Sequence, residues 1–125
     1  MEWIRSNILL DCAHNSDGAS QLADYLRTVE THQRKILLFG ASNDKDIRAM
    51  AIQLAGQVDE IYTCKCRHPR AALPTDLAKQ MIDLPVPAIP SGTIEETLAA
   101  LDLHNQMIIV TGSVFLVGAA RDILS

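Results

Sequence analysis

Aromatic side chains are scarce in this 125-residue chain, 4% in all, so its core has to be assembled from Leu, Ile, Val, Ala and Met. Cysteine is scarce as well: three residues, an odd number, in a chain whose start around Glu2, Trp3 and Arg5 lacks the apolar core of a signal peptide. Together these argue against a disulfide framework and for a cytoplasmic protein. Apolar runs fall well short of the roughly 20 residues that span a bilayer, which argues against membrane insertion. An excess of basic charge is missing too. The formal net charge is -4, and the basic residues are scattered apart from Lys65-Cys66-Arg67-His68-Pro69-Arg70, so a nucleic-acid partner is disfavoured.

What is present is an ordinary globular composition, 48% hydrophobic and 21% charged, at the length of one domain spanning residues 1–125. A chain of this size buries roughly two-thirds of its unfolded surface, enough for one core. No linker and no low-complexity tract interrupts it.

The most informative stretch runs from Ile8 to Ala19. Ile8-Leu9-Leu10 is an apolar run that ends abruptly at Asp11. The polar turn Cys12-Ala13-His14-Asn15-Ser16-Asp17 follows, and then Ala19, Leu22, Ala23, Leu26 and Val29 lay one apolar stripe along a helix. Asn15 or Ser16 suits the cap of that helix, and Asp17 favours its first turn. Ahead of this unit, Glu2 to Ile4 reads as an edge strand turned back by Arg5-Ser6-Asn7, antiparallel to the strand that follows.

The strand-helix unit then recurs. Lys35 to Phe39 is a buried strand, and Ile47, Met50, Ala51, Leu54, Ala55 and Val58 form a second helical stripe. Glu60 to Cys66 alternates like a strand nearer the sheet edge, and Pro74 opens a helix carrying Leu77, Ala78, Met81 and Ile82. Val86 to Ile89, held between prolines, is expected as a short or peripheral strand. Thr93-Ile94-Glu95-Glu96 has capping-box spacing and starts a helix expected to reach Leu103. Met107 to Val110 is the last strand, Thr111-Gly112-Ser113 a tight turn, and Val114 to Leu124 an almost wholly buried helix. The alternation predicts an α/β fold: a mostly parallel sheet of about six strands, helices on both faces, one antiparallel N-terminal edge strand.

Three polar turns follow buried strands and precede helices: Asp11 to Ser16, Ser42 to Asp46, and Thr111 to Ser113. In an open parallel sheet they lie along one edge, where ligands bind, and their mix of hydroxyls, carboxylate, imidazole and ammonium suits a polar ligand carrying negative charge. Cys64, Cys66 and His68 faintly resemble a metal set. A fourth ligand is missing, and buried hydrophobic cysteines are the better account.

The same turns carry a family likeness. Leu10-Asp11-Cys12-Ala13-His14-Asn15-Ser16-Asp17-Gly18-Ala19 resembles the D-x-AHN-P-D/H-x-A segment of the C-terminal domain of the folylpolyglutamate synthase and dihydrofolate synthase family, within the Mur ligase superfamily. Gly40-Ala41-Ser42-Asn43-Asp44-Lys45-Asp46 is similar to its G-x-x-x-DKD turn, and Thr111-Gly112-Ser113-Val114-Phe115-Leu116-Val117-Gly118 to its closing GS-x-x-L/V segment. The three occur in the family's order and span nearly the whole chain.

The resemblance implies a Rossmann-like domain of an ATP-dependent ligase that joins L-glutamate to a folate or dihydropteroate carboxylate through an acyl phosphate. It implies ATP contact at Asp11, a catalytic place for His14 near the phosphates or the incoming glutamate, and contacts from Asn15, Lys45 and Ser113 to phosphate or carboxylate. Against each stands a plain structural role: Asp11 bonding turn N–H groups, Asn15 and Ser113 capping helices, Lys45 solvated between two acids, Arg70 as surface charge. Ser16 replaces the family's proline.

No Gly-x-x-x-x-Gly-Lys-Ser/Thr loop occurs anywhere in the sequence. Magnesium and the phosphate cradle are therefore expected on a domain outside these residues. The expectation is a monomeric C-terminal domain excised from a longer chain and inert alone. The alternative is a free-standing doubly wound binding or regulatory module. A phosphoacceptor receiver fits poorly, because the third parallel strand ends in Cys66-Arg67 rather than an acid. A cysteine hydrolase using Cys12 with His14 fits poorly too, because both lie in one short turn.

Overall fold

Six segments pair into one sheet in the computed structural model, which describes residues 1–125. They are β1 (Glu2–Arg5), β2 (Ile8–Leu10), β3 (Lys35–Phe39), β4 (Glu60–Lys65), β5 (Ala88–Thr93) and β6 (Met107–Thr111). The spatial order is β1-β2-β6-β3-β4-β5. β1 is antiparallel to β2, and every other neighbouring pair is parallel. The last strand in sequence thus sits between the first two parallel ones, with Ile109 opposite both Leu9 and Leu37.

Because side chains alternate across a strand, each central strand supplies both faces of the sheet. Leu9, Leu37, Phe39, Ile61 and Ile109 point to one side, where they meet α1 (Ser16–Thr28), α2 (Ile47–Ala55) and α3 (Pro74–Lys79) through Leu22, Leu26, Met50, Leu54 and Leu77. Ile8, Leu10, Ile36, Leu38, Ile108 and Val110 point to the other, where α4 (Ile94–Ala100) and α5 (Val114–Leu124) pack through Leu98, Leu116, Val117 and Ala120. No helix is long and apolar enough to cross a membrane.

Several boundaries differ from the sequence reading. The strand expected at Val86 to Ile89 lies instead at Ala88–Thr93 and runs through Pro90. Pro90 is tolerated because β5 is an outer strand, with one side free of ladder bonds. α3 stops at Lys79, leaving Ile82 85% exposed rather than on the helix's buried face. α4 ends at Ala100, not Leu103, and the turn beyond it is held by Asp102, whose carboxylate accepts from the backbone of His104 and Asn105. α5 is amphipathic rather than wholly buried, since Val114, Phe115 and Ile123 are exposed. Cys64 and Cys66 sit in the second core as small hydrophobes.

Two glycines make the central strands' ends compatible. Gly112 has φ of 115°, and a Cβ there would lie 2.4 Å from the Gly40 carbonyl oxygen. A Cβ on Gly40 would lie 2.5 Å from the Cys64 carbonyl oxygen. Both contacts are with backbone, which cannot swing aside. Gly112→Ala is therefore expected to lower unfolding free energy by about 2 kcal/mol or more, through left-handed backbone strain plus displacement of the loop after β3. Urea denaturation measures it, and an unchanged midpoint would contradict this packing.

Burial pushes the Cys64 thiol up to about 11, from an ordinary value of 9.0. A raised folded-state pKa contributes stability in full below the unfolded value, and that contribution is lost as pH rises through the folded one. The window is pH 9 to 11, and the loss is on the order of 2–3 kcal/mol. Wild-type stability should fall by that amount relative to Cys64→Ala between pH 8.5 and 11, as measured by chemical denaturation. Parallel curves would place the thiol outside the core.

Candidate functional site

The neighbouring positions of β2, β6, β3 and β4 bring four loops to the carboxyl edge of the sheet. The ladder continues past the strands: the Asp11 N–H donates to the Val110 carbonyl at 3.0 Å, and the Gly40 N–H to the Thr111 carbonyl at 3.4 Å. The loops after β3 and β4 are stitched together as well. The Asn43 N–H donates to the Arg70 carbonyl at 2.7 Å, and the Ala72 N–H to the Ala41 carbonyl at 3.0 Å.

Two adjoining depressions result. The first, about 240 Å³, is lined by His14, Ser42, Asp44, Lys45, His68, Arg70, Gly112, Ser113, Val114 and Phe115. The second, about 260 Å³, is lined by Asp11, Cys12, His14 and Asn15 together with Met1, Ala13 and the start of α1. The structure therefore brings His14, Lys45 and Ser113 into one cavity and places Asp11 and Asn15 next door. His14 belongs to both. A larger apolar groove between α3 and β5 lies away from these polar loops and offers only Lys79 and Thr75 as polar side chains.

Each expected residue has a defined local role. Asp11 is partly buried, and its Oδ2 accepts from the Ala13 N–H at 3.0 Å. Asn15 caps α1, its Oδ1 accepting from the Gly18 N–H at 2.8 Å, which leaves the amide nitrogen free. Ser113 caps α5 by accepting from the Phe115 N–H at 3.1 Å. Lys45 is exposed and takes part in no ion pair. The structural roles of Asp11, Asn15 and Ser113 are thus real, and they fix these side chains at the edges of the depressions.

The two histidines are held in opposite tautomers. His14 Nδ1 lies 3.3 Å from the Cys12 carbonyl, which only accepts, so Nδ1 carries the proton and Nε2 of the neutral ring is left with a lone pair. His68 Nδ1 instead accepts from the Arg70 N–H at 3.0 Å, which makes Nε2 the protonated nitrogen. The His68 ring also packs against Phe115, with centroids 4.8 Å apart. One imidazole is an acceptor toward ligand and the other a donor.

Sequence reasoning missed the loop after β4, where Arg70 was read as surface charge. Arg70 lines the cavity and lies 3.6 Å from Asp44. Asp44 also accepts from the Ser42 hydroxyl at 2.6 Å, and that hydrogen bond chiefly, with a smaller contribution from the Arg70 charge, holds its carboxyl below the usual range. The signal for this loop was the basic cluster itself. Its importance emerges only once β4 is known to lie beside β3.

No group of three or more His, Cys, Asp or Glu side chains is placed to hold a metal ion. For a nucleotide the fit is partial. The depression at Asp11 is smaller than the roughly 300 Å³ at which small-ligand sites begin, but a carboxylate and a free amide donor there suit ribose-type hydroxyls.

Comparison with known proteins gives the family. The Mur ligase, glutamate ligase domain, matches residues 1–114. Folylpolyglutamate synthase of Lacticaseibacillus casei is 31% identical over 123 residues, covering 94% of this chain and 27% of that protein. Dihydrofolate synthase/folylpolyglutamate synthase of Bacillus subtilis is 26% identical over 116 residues, 91% of this chain and 27% of that protein. Among solved structures, Mycobacterium tuberculosis folylpolyglutamate synthase complexed with ADP and AMPPCP superposes with a TM-score of 0.87 at 26% identity, over 99% of this chain and 31% of that one. This chain thus spans little more than a quarter of those two curated relatives. The three turn motifs, the strand order that gathers them and the match over nearly the whole length place the chain in the Mur ligase family, as a glutamate ligase domain.

Proposed function

We propose that this chain is the C-terminal nucleotide- and glutamate-binding domain of an ATP-dependent folylpolyglutamate synthase or dihydrofolate synthase. The observation that carries the reading is the position of His14, whose side chain lines both depressions. In this reading Asp11 and Asn15 contact the nucleotide from one side, and Lys45 and Ser113 receive L-glutamate on the other. The imidazole stands where the two meet. When bound, ATP supplies the phosphoryl group that activates the folate or dihydropteroate carboxylate.

The chain's own residues then have limited, definite tasks. Glutamate reaches the site as an ammonium and attacks only as a free amine, so a base must remove a proton. His14 is suited to this, because its Nδ1 is committed to the Cys12 carbonyl and its Nε2 is open to accept. Val114 and Phe115 give the glutamate cavity an apolar wall for methylene groups. Magnesium and the phosphate cradle belong, in this reading, to another domain of a longer chain, which is why these residues alone have no catalytic activity. The relatives' names and the ADP complex of the mycobacterial enzyme support the assignment.

Titrating the isotopically labelled chain with ATP should shift the amide signals of Asp11 to Ser16 without hydrolysis. Asp11→Ala should weaken that binding about tenfold, a loss of roughly 1.4 kcal/mol, while lowering the melting temperature by only a few degrees through loss of the bond from the Ala13 N–H. Shifts confined to Cys64–Arg70 would reject the nucleotide assignment. In the full-length enzyme carrying this domain, His14→Gln should lower kcat by about 10²- to 10⁴-fold with little change in the KM for glutamate. A kcat equal to wild type would remove His14 from proton transfer.

A further inference from the structure

Four of the five buried polar side chains are hydrogen-bonded. The Thr63 hydroxyl donates to the Pro74 carbonyl at 2.7 Å, Thr97 to the Thr93 carbonyl at 2.9 Å and Ser42 to Asp44 at 2.6 Å, while Ser113 caps α5. Thr111, at the end of β6, is the exception. It is fully buried, and its Oγ1 has no hydrogen-bond partner. The one other buried side-chain oxygen without a hydrogen bond, on Glu95, is ion-paired with Arg67. Every other residue of β6 is apolar, and valine has threonine's shape without a hydroxyl to leave unpaired. Packing alone does not call for a hydroxyl at this position.

The register points to a partner. Leu10 of β2 pairs with Val110, and the Asp11 N–H carries the ladder one step further by donating to the Val110 carbonyl at 3.0 Å, so Asp11 stands level with Thr111 on the adjoining strand. Phe39 stands level with it on the other side. Side chains at one level of a parallel sheet share a face. Phe39 belongs to the core under α1 to α3, and Asp11 lines its depression beside Gly18, Gln21 and Leu22 of α1, so this row of side chains faces those helices. Adjoining strands lie about 4.8 Å apart. The Asp11 carboxylate is the one side-chain acceptor in the row, and rotation about the first side-chain bond of Thr111 aims its hydroxyl that way. That carboxylate accepts one hydrogen bond, from the Ala13 N–H at 3.0 Å, and keeps further lone pairs free.

We infer that Thr111 is a positioning residue for Asp11: its hydroxyl pairs with the Asp11 carboxylate when that carboxylate engages the hydroxyl groups of a nucleotide. The inference rests on the nucleotide reading of the depression at Asp11. Donation from Thr111 beneath and from the Ala13 N–H at the side fixes the plane of the carboxylate and leaves its outward lone pairs to the ligand. Thr111 touches no ligand itself, because it is fully enclosed. A buried hydroxyl that is unpaired in one arrangement and paired in the other favours the second, so the fold holds a penalty that binding relieves. Removing the hydroxyl therefore moves stability and affinity in different directions.

The test measures stability and ATP affinity side by side, by urea denaturation and by amide-shift titration of the labelled chain. Thr111→Val should unfold no more easily than wild type yet bind ATP about three- to tenfold more weakly. Thr111→Ala should show the same loss of affinity, although its smaller side chain also lowers the urea midpoint. Thr111→Ser, which keeps the hydroxyl, should bind within about twofold of wild type. In the Asp11→Ala background, Thr111→Val should cause no further loss. The carboxyl-carbon signal of Asp11 in the ATP-saturated chain should move in Thr111→Val and return in Thr111→Ser. Affinity that follows the urea midpoint across the three variants rather than the presence of the hydroxyl, or a loss that persists in the Asp11→Ala background, overturns the positioning role. Full ATP affinity in Thr111→Val overturns it too, while leaving the domain's proposed function intact. Absence of shifts at Asp11 to Ser16 with ATP in wild type overturns the nucleotide reading and this inference with it.

Discussion

The close approach of Gly112 to the Gly40 carbonyl is the contact on which the rest of the molecule depends. β6 can enter between β2 and β3 only if the chain leaving it turns through positive φ and passes without a side chain over the end of β3. That insertion makes β2, β6, β3 and β4 consecutive neighbours. Their carboxyl ends, scattered from residue 10 to residue 111 along the chain, become one rim. α1 to α3 pack on one face and α4 and α5 on the other, so the rim coincides with the place where the winding changes face. Open α/β sheets bind ligands at such a switch.

On this rim, helix caps and ligand groups are the same residues. Asn15 and Ser113 close the first turns of α1 and α5, and Asp11 secures the turn between strand and helix. Satisfying these backbone donors costs the site no polar groups it needs, because the Asn15 amide nitrogen and the His14 Nε2 stay free. The rim's charge is likewise local. The molecule is acidic overall, yet Lys45 and Arg70 face one cavity with a single acid between them. Steering of an anionic ligand would follow that local field rather than the net charge.

Much of this architecture could be read from periodicity, because every central strand is apolar on both faces and every helix carries a stripe. The antiparallel first strand, the parallel sheet and the three turns with their motifs were all readable from neighbouring residues. Strand order was not. Nothing in the local sequence of Met107–Thr111 says that it lies between β2 and β3, and without that fact the loop after β4 could not be joined to the rim. Arg70 was therefore read as surface charge, His68 only as part of a faint metal set, and Phe115 as part of an almost wholly buried helix. The misplaced β5 and the shortened α3 and α4 have a different cause. Pro85, Pro87 and Pro90 obscure a strand that survives as an outer one, and the apolar residues Ile82 and Leu103 continue a stripe beyond the last helical turn.

The central claim is that nucleotide and glutamate meet at one edge of this domain, with His14 between them. A crystal structure of the full-length enzyme carrying this domain, with ADP and L-glutamate bound, tests it most directly. The account predicts glutamate among Lys45, Arg70 and Ser113, with the nucleotide's nearest contact to this domain at Asp11 or Asn15 and the His14 ring between the two ligands. Glutamate or nucleotide bound at the opposite end of the sheet, beside Thr31, Gln33 and Gln57, would contradict it.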